Sequence, residues 1–215
     1  MQTIFTIGHS NHSLDAFLSL LQQHEINALA DVRSAPYSRY LPHFNQKALQ
    51  AYLPKAAIRY VFLGQELGAR PRDSSCYVAG KAVYEKIAAT TFFQHGLQRL
   101  IQGSQTYRIA LMCAEKDPLT CHRAILIGQH LVPWNVAIAH IHSDGNLESH
   151  DDLETRLLST HHLEDPPQNQ QLSLLPGLDP TISLDRNDRI HQAYQYQGAK
   201  VAYVEEEQHG QSNYD

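Results

Sequence analysis

The stretch from Cys113 to Arg123 reads Cys-Ala-Glu-Lys-Asp-Pro-Leu-Thr-Cys-His-Arg and holds the densest group of reactive side chains in the sequence. Cys113 ends an apolar run, and an Asp-Pro turn precedes Cys121 and His122. A thiol beside a cation or a helix N-terminus has a lowered pKa, and its thiolate is a nucleophile. The forked donors of Arg123 suit a phosphate. The stretch therefore predicts nucleophilic chemistry or anion binding at the start of a helix that Thr120 would cap.

The same stretch also has structural interpretations. Cys113 could be an ordinary buried cysteine, because it ends an apolar strand. Arg123 could pair with Glu115 or Asp117 instead of binding a ligand. We predict that at least one of four residues has a chemical role: Glu115, Cys121, His122 and Arg123.

Polar side chains also follow the first two predicted strands. His9 and Ser10 come after the first strand, and Asp31 and Arg33 come at the end of the second. In open parallel sheets, ligands bind outside the carboxyl ends of the strands. We therefore expect these groups to meet residues 113–123 at one edge of the sheet. The alternatives are a structural histidine at His9 and a structural ion pair between Asp31 and Arg33.

The segment 33–44 alternates cations with aromatic rings, including Tyr37 and Arg39. Such a segment can stack on bases and hold phosphates, or it can be a surface loop that packs on itself. The catalytic candidates are His9, Asp31, Cys113, Glu115, Cys121 and His122. The substrate-binding candidates are Ser10, Arg33, Tyr37, Arg39 and Arg123.

Metal and cofactor motifs are absent from the sequence. Several side chains could serve as zinc ligands, namely His9, His12, Cys113, Cys121, His122, His140 and His142. However, no Cys-x-x-Cys or His-Glu-x-x-His spacing occurs, so we predict no bound metal and keep zinc as an alternative. The sequence also lacks the glycine patterns of standard NAD and ATP sites, and we predict no cofactor.

The elements that must position these residues alternate between strand and helix. Short β-rich runs lie at 3–7, 28–32, 59–63, 107–113 and 136–141. Helical patterns follow Ser13 and lie at 46–55, 81–102 with an interruption near Gly96, 121–131 and 151–160. This alternation predicts an α/β fold, with an open, mostly parallel sheet of about five strands and helices on both faces.

Charge and composition divide the chain in two. Residues 1–144 have a net charge of +4, and residues 145–215 have a net charge of −9. Because a Pro- and Gln-rich segment begins near residue 164, we predict an α/β domain over 1–163 and an acidic, partly flexible extension over 164–215. Within that extension, the spacing of Ile190, Ala193 and Tyr194 is compatible with a helix.

No stretch is long and apolar enough to cross a membrane, and the N-terminus lacks the features of a signal peptide. The 3 cysteines in 215 residues do not form a disulfide framework. We therefore expect a cytoplasmic location without a membrane partner.

Four motifs together resemble one known family over about residues 3–150. They are Thr6-Ile7-Gly8-His9-Ser10, Asp31-Val32-Arg33-Ser34, Leu63-Gly64-x-x-Leu67-Gly68, and Cys113-Ala114-Glu115-x-Asp117-Pro118-x-x-Cys121-His122-Arg123. The family is the domain of unknown function 488. The resemblance implies a shared α/β domain whose site consists of these motif residues, and it implies no cofactor.

A second resemblance lies in the acidic extension. Its residues Gln171, Leu172, Ser173, Leu174 and Leu175 look like the short peptide by which bacterial DNA enzymes dock on the sliding clamp. The leucines could instead pack back on the domain.

Two functional hypotheses follow. The first is an enzyme that acts on a nucleotide, nucleic acid or other phosphorylated compound at the strand ends. The second is a nucleotide- or nucleic-acid-binding module without chemistry, which could dock on the clamp. A third, an adaptor that acts through its acidic extension, requires residues 165–215.

Overall fold

The structure, a computed structural model, describes residues 2–164 and 185–205. Its elements in chain order are β1 (Thr3–Gly8), α1 (Leu14–Gln23), β2 (Ala28–Asp31), α2 (Gln46–Tyr52), β3 (Arg59–Phe62), α3 (Gly64–Leu67), β4 (Tyr77–Val78), β5 (Lys81–Ala82), α4 (Tyr84–Ala88), α5 (Thr91–Ser104), β6 (Ile109–Cys113), α6 (Gln129–Leu131), β7 (Ala137–Ile141), β8 (Leu147–Ser149), α7 (His150–Thr160) and α8 (Arg186–Val201). A π-helical turn over Arg123–Gly128 leads directly into α6. None of these helices is long and apolar enough to cross a membrane.

Six strands form one sheet in the order β3-β2-β6-β1-β7-β8. Neighbouring strands are parallel except at β7 and β8, which are antiparallel. The predicted α/β class and mostly parallel sheet are confirmed. The antiparallel edge strand β8 was not predicted, because its three residues carry almost no apolar pattern.

The two faces of the sheet bury different helices. Phe5, Ile7 and Met112 pack with α1 and α2 on one face. Ile4 and Leu111 face the opposite layer, which contains α5, α6, α7 and α8. Because successive side chains of a strand alternate between faces, Cys113 lies in the same layer as Leu111.

Two predicted helices differ from the structure. The pattern at 81–102 contains a hairpin strand and two helices, and its break lies at Thr90, whose side chain caps α5, instead of at Gly96. Gly96 lies inside α5, where an added Cβ would come within 2.8 Å of the Leu67 side chain in α3. Glycine at that position therefore allows the two helices to approach each other.

The helix predicted at 121–131 begins later than expected. Cys121 is extended, with φ −135° and ψ 138°, and the π-helical turn begins at Arg123. Asp117, and not Thr120, supplies the side-chain cap in this stretch, accepting from the Leu119 N–H of the short turn Pro118–Thr120. Cys121 thus precedes the helix instead of lying in its first turn.

The described part of the acidic extension packs on the domain. Helix α8, which forms where a helical pattern was noted, buries Ala193, Tyr194 and Gln197 against the layer that holds α7. The Gln197 side chain donates to the Leu119 carbonyl at 2.6 Å. Beyond the helix, Val204 bridges to Lys81. Residues 185–205 are therefore in contact with residues of the predicted α/β domain.

Candidate functional site

The carboxyl ends of β1, β6 and β2 lie side by side because β6 is inserted between the other two strands. The His9 N–H donates to the Cys113 carbonyl at 2.9 Å, which joins the ends of β1 and β6. His122 lies 3.0 Å from the Val32 carbonyl, which joins this region to the end of β2. The structure thus brings the sequence-predicted residues of three strand ends to one edge.

Asp31 and Arg33 form a buried, two-point ion pair. Nε and Nη2 of Arg33 donate to the two carboxylate oxygens of Asp31 at 2.9 and 2.6 Å. The Tyr60 hydroxyl donates to the same carboxylate at 2.8 Å, and Nη2 of Arg33 also donates to the Phe44 carbonyl. Burial and the Asp31 charge raise the pKa of Tyr60, so its phenol stays protonated. This network fixes the Arg33 guanidinium.

His9 is held neutral by its neighbours. Because arginine can only donate, the 3.2 Å contact from Arg33 Nη1 makes His9 Nε2 the acceptor. Nδ1–H then donates to the Ser10 carbonyl at 2.9 Å, and the ring stacks on Phe44. Burial first, and then the Arg33 charge, lower the pKa of His9 to about 4. His9 is therefore a neutral positioning group for the guanidinium.

Four donor side chains, which we call the thiol cluster, lie behind the end of β6. The cluster consists of Cys113, Glu115, Cys121 and His122, and its ligand atoms all lie within 4.8 Å of one another. His122 Nδ1 is 3.6 Å from Cys113 Sγ and 3.9 Å from Cys121 Sγ. Glu115 Oε2 is 3.0 Å from Cys121 Sγ. The three buried members are close enough to shift one another's pKa.

The two thiols of the cluster differ in acidity. Burial opposes ionisation of Cys121, but a hydrogen bond from Cys113 and the charges of Arg123 and His122 outweigh it and lower the pKa of Cys121. The hydrogen bond to Cys121 and burial raise the pKa of Cys113. Although Glu115 is exposed as a whole residue, partial burial of its carboxyl group and the neighbouring sulfur of Cys121 raise its pKa. Ionisation is therefore easier at Cys121 than at Cys113.

Arg123, predicted to bind substrate, is fully buried. Its Nη1 and Nη2 donate to the carbonyls of Glu115 and Lys116 at 2.7 and 3.0 Å, and its Nε donates to Thr6 Oγ1 at 3.3 Å. The guanidinium therefore holds the backbone of the loop that carries Glu115. Substrate binding by Arg123 stays a prediction, and this geometry favours a positioning role.

A buried series of hydrogen bonds, which we call the polar chain, continues from this arginine to α8. It runs through Arg123, Thr6, His140, His150, Tyr194 and Glu154 with spacings between 2.8 and 3.3 Å. Arginine only donates and an ionised carboxylate only accepts. Each hydroxyl and each neutral imidazole then accepts from the preceding member and donates to the next. Both histidines of the chain are therefore neutral, and burial lowers the pKa of each.

A pocket of about 300 Å³ opens beside the thiol cluster. Five predicted site residues line it, namely Arg33, Tyr37, Cys113, Glu115 and His122. Its further lining residues include Ser34, Arg70, Tyr84 and Tyr203, none of which was a predicted catalytic or substrate-binding candidate. Ser34 belongs to a motif noted in the sequence. Tyr203 reaches the pocket because the C-terminal segment packs back on the domain. We call this cavity the site pocket.

The remaining candidates are not among the residues that line this pocket. Ser10 Oγ donates to Asn11 at 3.3 Å, Arg39 is exposed, and Asp31 and Cys121 are buried behind the lining. Of the seven possible zinc ligands, only Cys113, Cys121 and His122 belong to the thiol cluster, and Glu115 joins them. The clamp-like peptide at 171–175 lies outside the described residues.

The fold and this edge define an α/β domain with a polar site at the carboxyl ends of its parallel strands. The chain matches the family model described as "Domain of unknown function DUF488" over residues 13–129. Because the match covers more than half of the chain, the protein belongs to this family, as the sequence motifs predicted. No curated protein and no solved structure matches the chain.

Proposed function

We propose that the protein is an enzyme that acts on a small phosphorylated compound of about nucleotide size in the site pocket. The observation that carries the proposal is the shared lining of one pocket. Arg33 and Arg70 line the same pocket as Cys113, Glu115 and His122. A pocket that combines anion-binding cations with nucleophilic and acid–base groups is suited to group transfer or hydrolysis.

The Arg33 guanidinium is held in position, and the described residues leave one of its N–H groups to bind an anion. Of the five N–H groups of a guanidinium, four of those on Arg33 donate to Asp31, Phe44 and His9. The remaining Nη1 hydrogen has no partner among the described residues. A fixed cation with one unused donor can hold an incoming oxyanion without first losing side-chain freedom.

Arg70 supplies a second, more accessible cation. Its guanidinium lies 4.2 Å from the centre of the Tyr203 ring, and its backbone N–H donates to Ser34 Oγ at 3.0 Å. The contact with the Tyr203 ring holds the Arg70 guanidinium in one orientation, and the Arg70 side chain stays exposed to solvent. A substrate phosphate would lie between this guanidinium and Arg33.

The size of the pocket favours a small substrate. Its volume of about 300 Å³ is at the lower end of the range for small-molecule sites. A neighbouring cavity of about 590 Å³ shares Ser34 and Arg70 and leaves room for the rest of a longer substrate. In this proposal Glu115 performs the acid–base step, Cys113 and His122 lie beside it in the pocket lining, and Asp31 and His9 hold Arg33.

Calorimetry with nucleoside monophosphates and the matching nucleosides tests the substrate class. We expect binding of the phosphates alone, weakened about 10–100-fold by Arg70→Ala, because a hydrogen bond to a charged group contributes about 1.5–3 kcal/mol. Arg59→Ala is the matched control, since Arg59 also lies over a tyrosine ring but at the opposite end of the sheet. Equal binding of nucleosides and nucleotides would contradict the proposal.

Mass spectrometry of the same compounds after incubation tests catalysis. We expect wild-type protein to convert a bound compound, and Glu115→Gln to bind it with similar affinity without conversion. Binding without conversion by the wild type would support the second candidate.

That second candidate is a nucleic-acid-binding module without chemistry. Tyr37 and Tyr40 expose 69% and 88% of their surfaces on the loop that carries Arg39. Exposed rings beside cations can stack on the bases of a single strand. Fluorescence anisotropy with a labelled oligonucleotide should then show steep salt dependence and a loss with Tyr40→Ala. Docking on the sliding clamp stays a separate hypothesis.

A further inference from the structure

We propose that the thiol cluster is a binding site for one divalent transition-metal ion of the zinc type. Two thiols, one imidazole and one carboxylate converge from two short segments of chain. Soft sulfur and imidazole ligands favour zinc and its neighbours over magnesium or calcium, which prefer oxygen alone. This inference goes beyond the proposed substrate class and does not depend on it.

The donor spacing matches a tetrahedral ion. With bonds of about 2.0–2.3 Å, a tetrahedral zinc ion separates its donor atoms by roughly 3.3–3.8 Å. His122 Nδ1 lies 3.6 and 3.9 Å from the sulfurs of Cys113 and Cys121. Glu115 Oε2 is closer to Cys121 Sγ, at 3.0 Å, and a rotation of this exposed side chain can open that spacing. The two spacings from His122 are thus already close to those of a tetrahedral site.

The orientation of His122 is the second independent observation. Because a carbonyl can only accept, the 3.0 Å contact with Val32 requires a hydrogen on Nε2. When the ring is neutral, the Nδ1 lone pair then faces the two sulfurs. A metal-binding histidine commonly donates its other N–H to a carbonyl in this way, which fixes both tautomer and ring angle.

The supporting contacts hold each ligand in place. Cys113 is the last residue of β6, and Cys121 Sγ is approached by the Arg123 N–H at 3.5 Å. The Arg123 guanidinium binds the carbonyl of Glu115 and so fixes the start of the loop between the two cysteines. Because these contacts already restrict the ligand residues, the residues lose little conformational freedom when an ion binds.

The four ligands are not equally accessible. Cys113, Cys121 and His122 are buried, whereas Glu115 is exposed and lines the site pocket. Catalytic zinc sites typically have three protein ligands and one exchangeable position. We infer that the three buried residues are the permanent ligands and that Glu115 is the ligand a substrate oxygen would displace.

Metal uptake by the full-length chain tests the site without any substrate. Protein purified under reducing conditions and treated with a chelator is titrated with Zn²⁺, and separately with Co²⁺. We expect one ion per chain and, with Co²⁺, the charge-transfer absorption of a cobalt–thiolate bond. If the wild type takes up no stoichiometric ion, or if the cobalt complex lacks that absorption, the proposal is wrong.

Three variants assign the ligands. Cys121→Ser should lower Zn²⁺ affinity by about 100-fold or more, since even second-shell changes cost about 10–100-fold. Glu115→Gln changes an exposed side chain, so it should fold normally, keep the thiolate absorption and bind more weakly. Cys76→Ser is the control, because Cys76 is buried outside the cluster. Unchanged affinity in Glu115→Gln would remove it from the ligand set and overturn the four-ligand site.

The outcome is separable from that of the proposed function. Nucleotide binding by the chelated protein tests the anion site of Arg33 and Arg70 alone. Zinc uptake without nucleotide tests the thiol cluster alone. A disulfide between Cys113 and Cys121 in place of an ion, under reducing conditions with Zn²⁺ present, would also overturn the metal site.

Discussion

Acidification should unfold this protein through the buried histidines of the polar chain. His150 accepts from His140 through Nδ1 at 3.1 Å and donates to the Tyr194 hydroxyl through Nε2 at 3.0 Å. A proton added to Nδ1 would leave two donors facing each other in a buried place. This conflict adds to the desolvation cost of burial, the main cause that lowers the pKa of His150 to about 4 from an ordinary value of 6.5.

The magnitude follows from that shift. Between pH 6.5 and pH 4 the unfolded chain binds a proton at His150 that the folded chain does not, so stability falls as the pH falls. Each pKa unit corresponds to about 1.4 kcal/mol, and His150 alone therefore removes about 3 kcal/mol across this window. This contribution of His150 to the free energy of unfolding is present above about pH 6.5 and is lost as the pH falls towards 4. His140, whose pKa is also lowered by burial and by His150, acts in the same direction.

Urea unfolding at several pH values between 7.5 and 4 measures the effect. Other groups also titrate there: the lowered pKa values of His9 and Asp117 act in the same direction, and the raised pKa of Glu154 acts in the opposite one. Comparison with His150→Gln removes these shared contributions. The variant should be less stable at pH 7.5, by about 1–3 kcal/mol for the disturbed hydrogen bonds, and should lose less stability on acidification.

The exposed residue His95 provides the control, since His95→Gln should follow the wild-type curve. Parallel curves for the wild type and His150→Gln would refute the reasoning, because they would mean that His150 titrates alike in the folded and unfolded chains.

Three further predictions concern the scaffold and use urea or thermal unfolding. Gly96→Ala should destabilise by about 1–3 kcal/mol because the new Cβ collides with α3, whereas Gly103→Ala in the same helix meets one flexible side chain at 3.1 Å and should be neutral or mildly stabilising. A stable Gly96→Ala would mean that the two helices can separate. Asp31→Asn should cost about 3–5 kcal/mol by leaving Arg33 buried without its counter-charge, and a cost below 1 kcal/mol would contradict a buried pair. Arg156→Ala should cost no more than about 1 kcal/mol, because the side chains of Arg156 and its partner Asp117 are 38% and 45% exposed, and a larger loss would indicate a cooperative network that includes Glu148.

The local pattern of the sequence determined most of the scaffold. Apolar runs and turn residues are local signals, so the five parallel strands were found within one or two residues of their observed starts. The same signals placed His9, Asp31 and Cys113 at strand ends. Since a parallel sheet directs all such ends to one edge, their proximity followed from the predicted fold.

Pairings between distant segments were decided by the tertiary structure. The insertion of β6 between β1 and β2 brings His122 to the Val32 carbonyl, 90 positions earlier in the chain. The return of the C-terminal segment brings Tyr203 to the Arg70 side chain. Sequence spacing carries no information about strand order or such returns, so Arg70 and Tyr203 could not be assigned to the pocket beforehand.

Arg33 and Arg123 show the same difference between what the sequence indicates and what the tertiary structure decides. By residue type and position alone, Arg33 and Arg123 were equivalent substrate-binding candidates, since each lies beside a strand end or a turn. In the folded chain the Arg123 guanidinium donates hydrogen bonds to backbone carbonyls and to Thr6. Arg33 lines the pocket and has one N–H group without a partner among the described residues. A side chain's type determines what it can bind, but the donors and acceptors that folding places around it decide which of those bonds remain for a ligand.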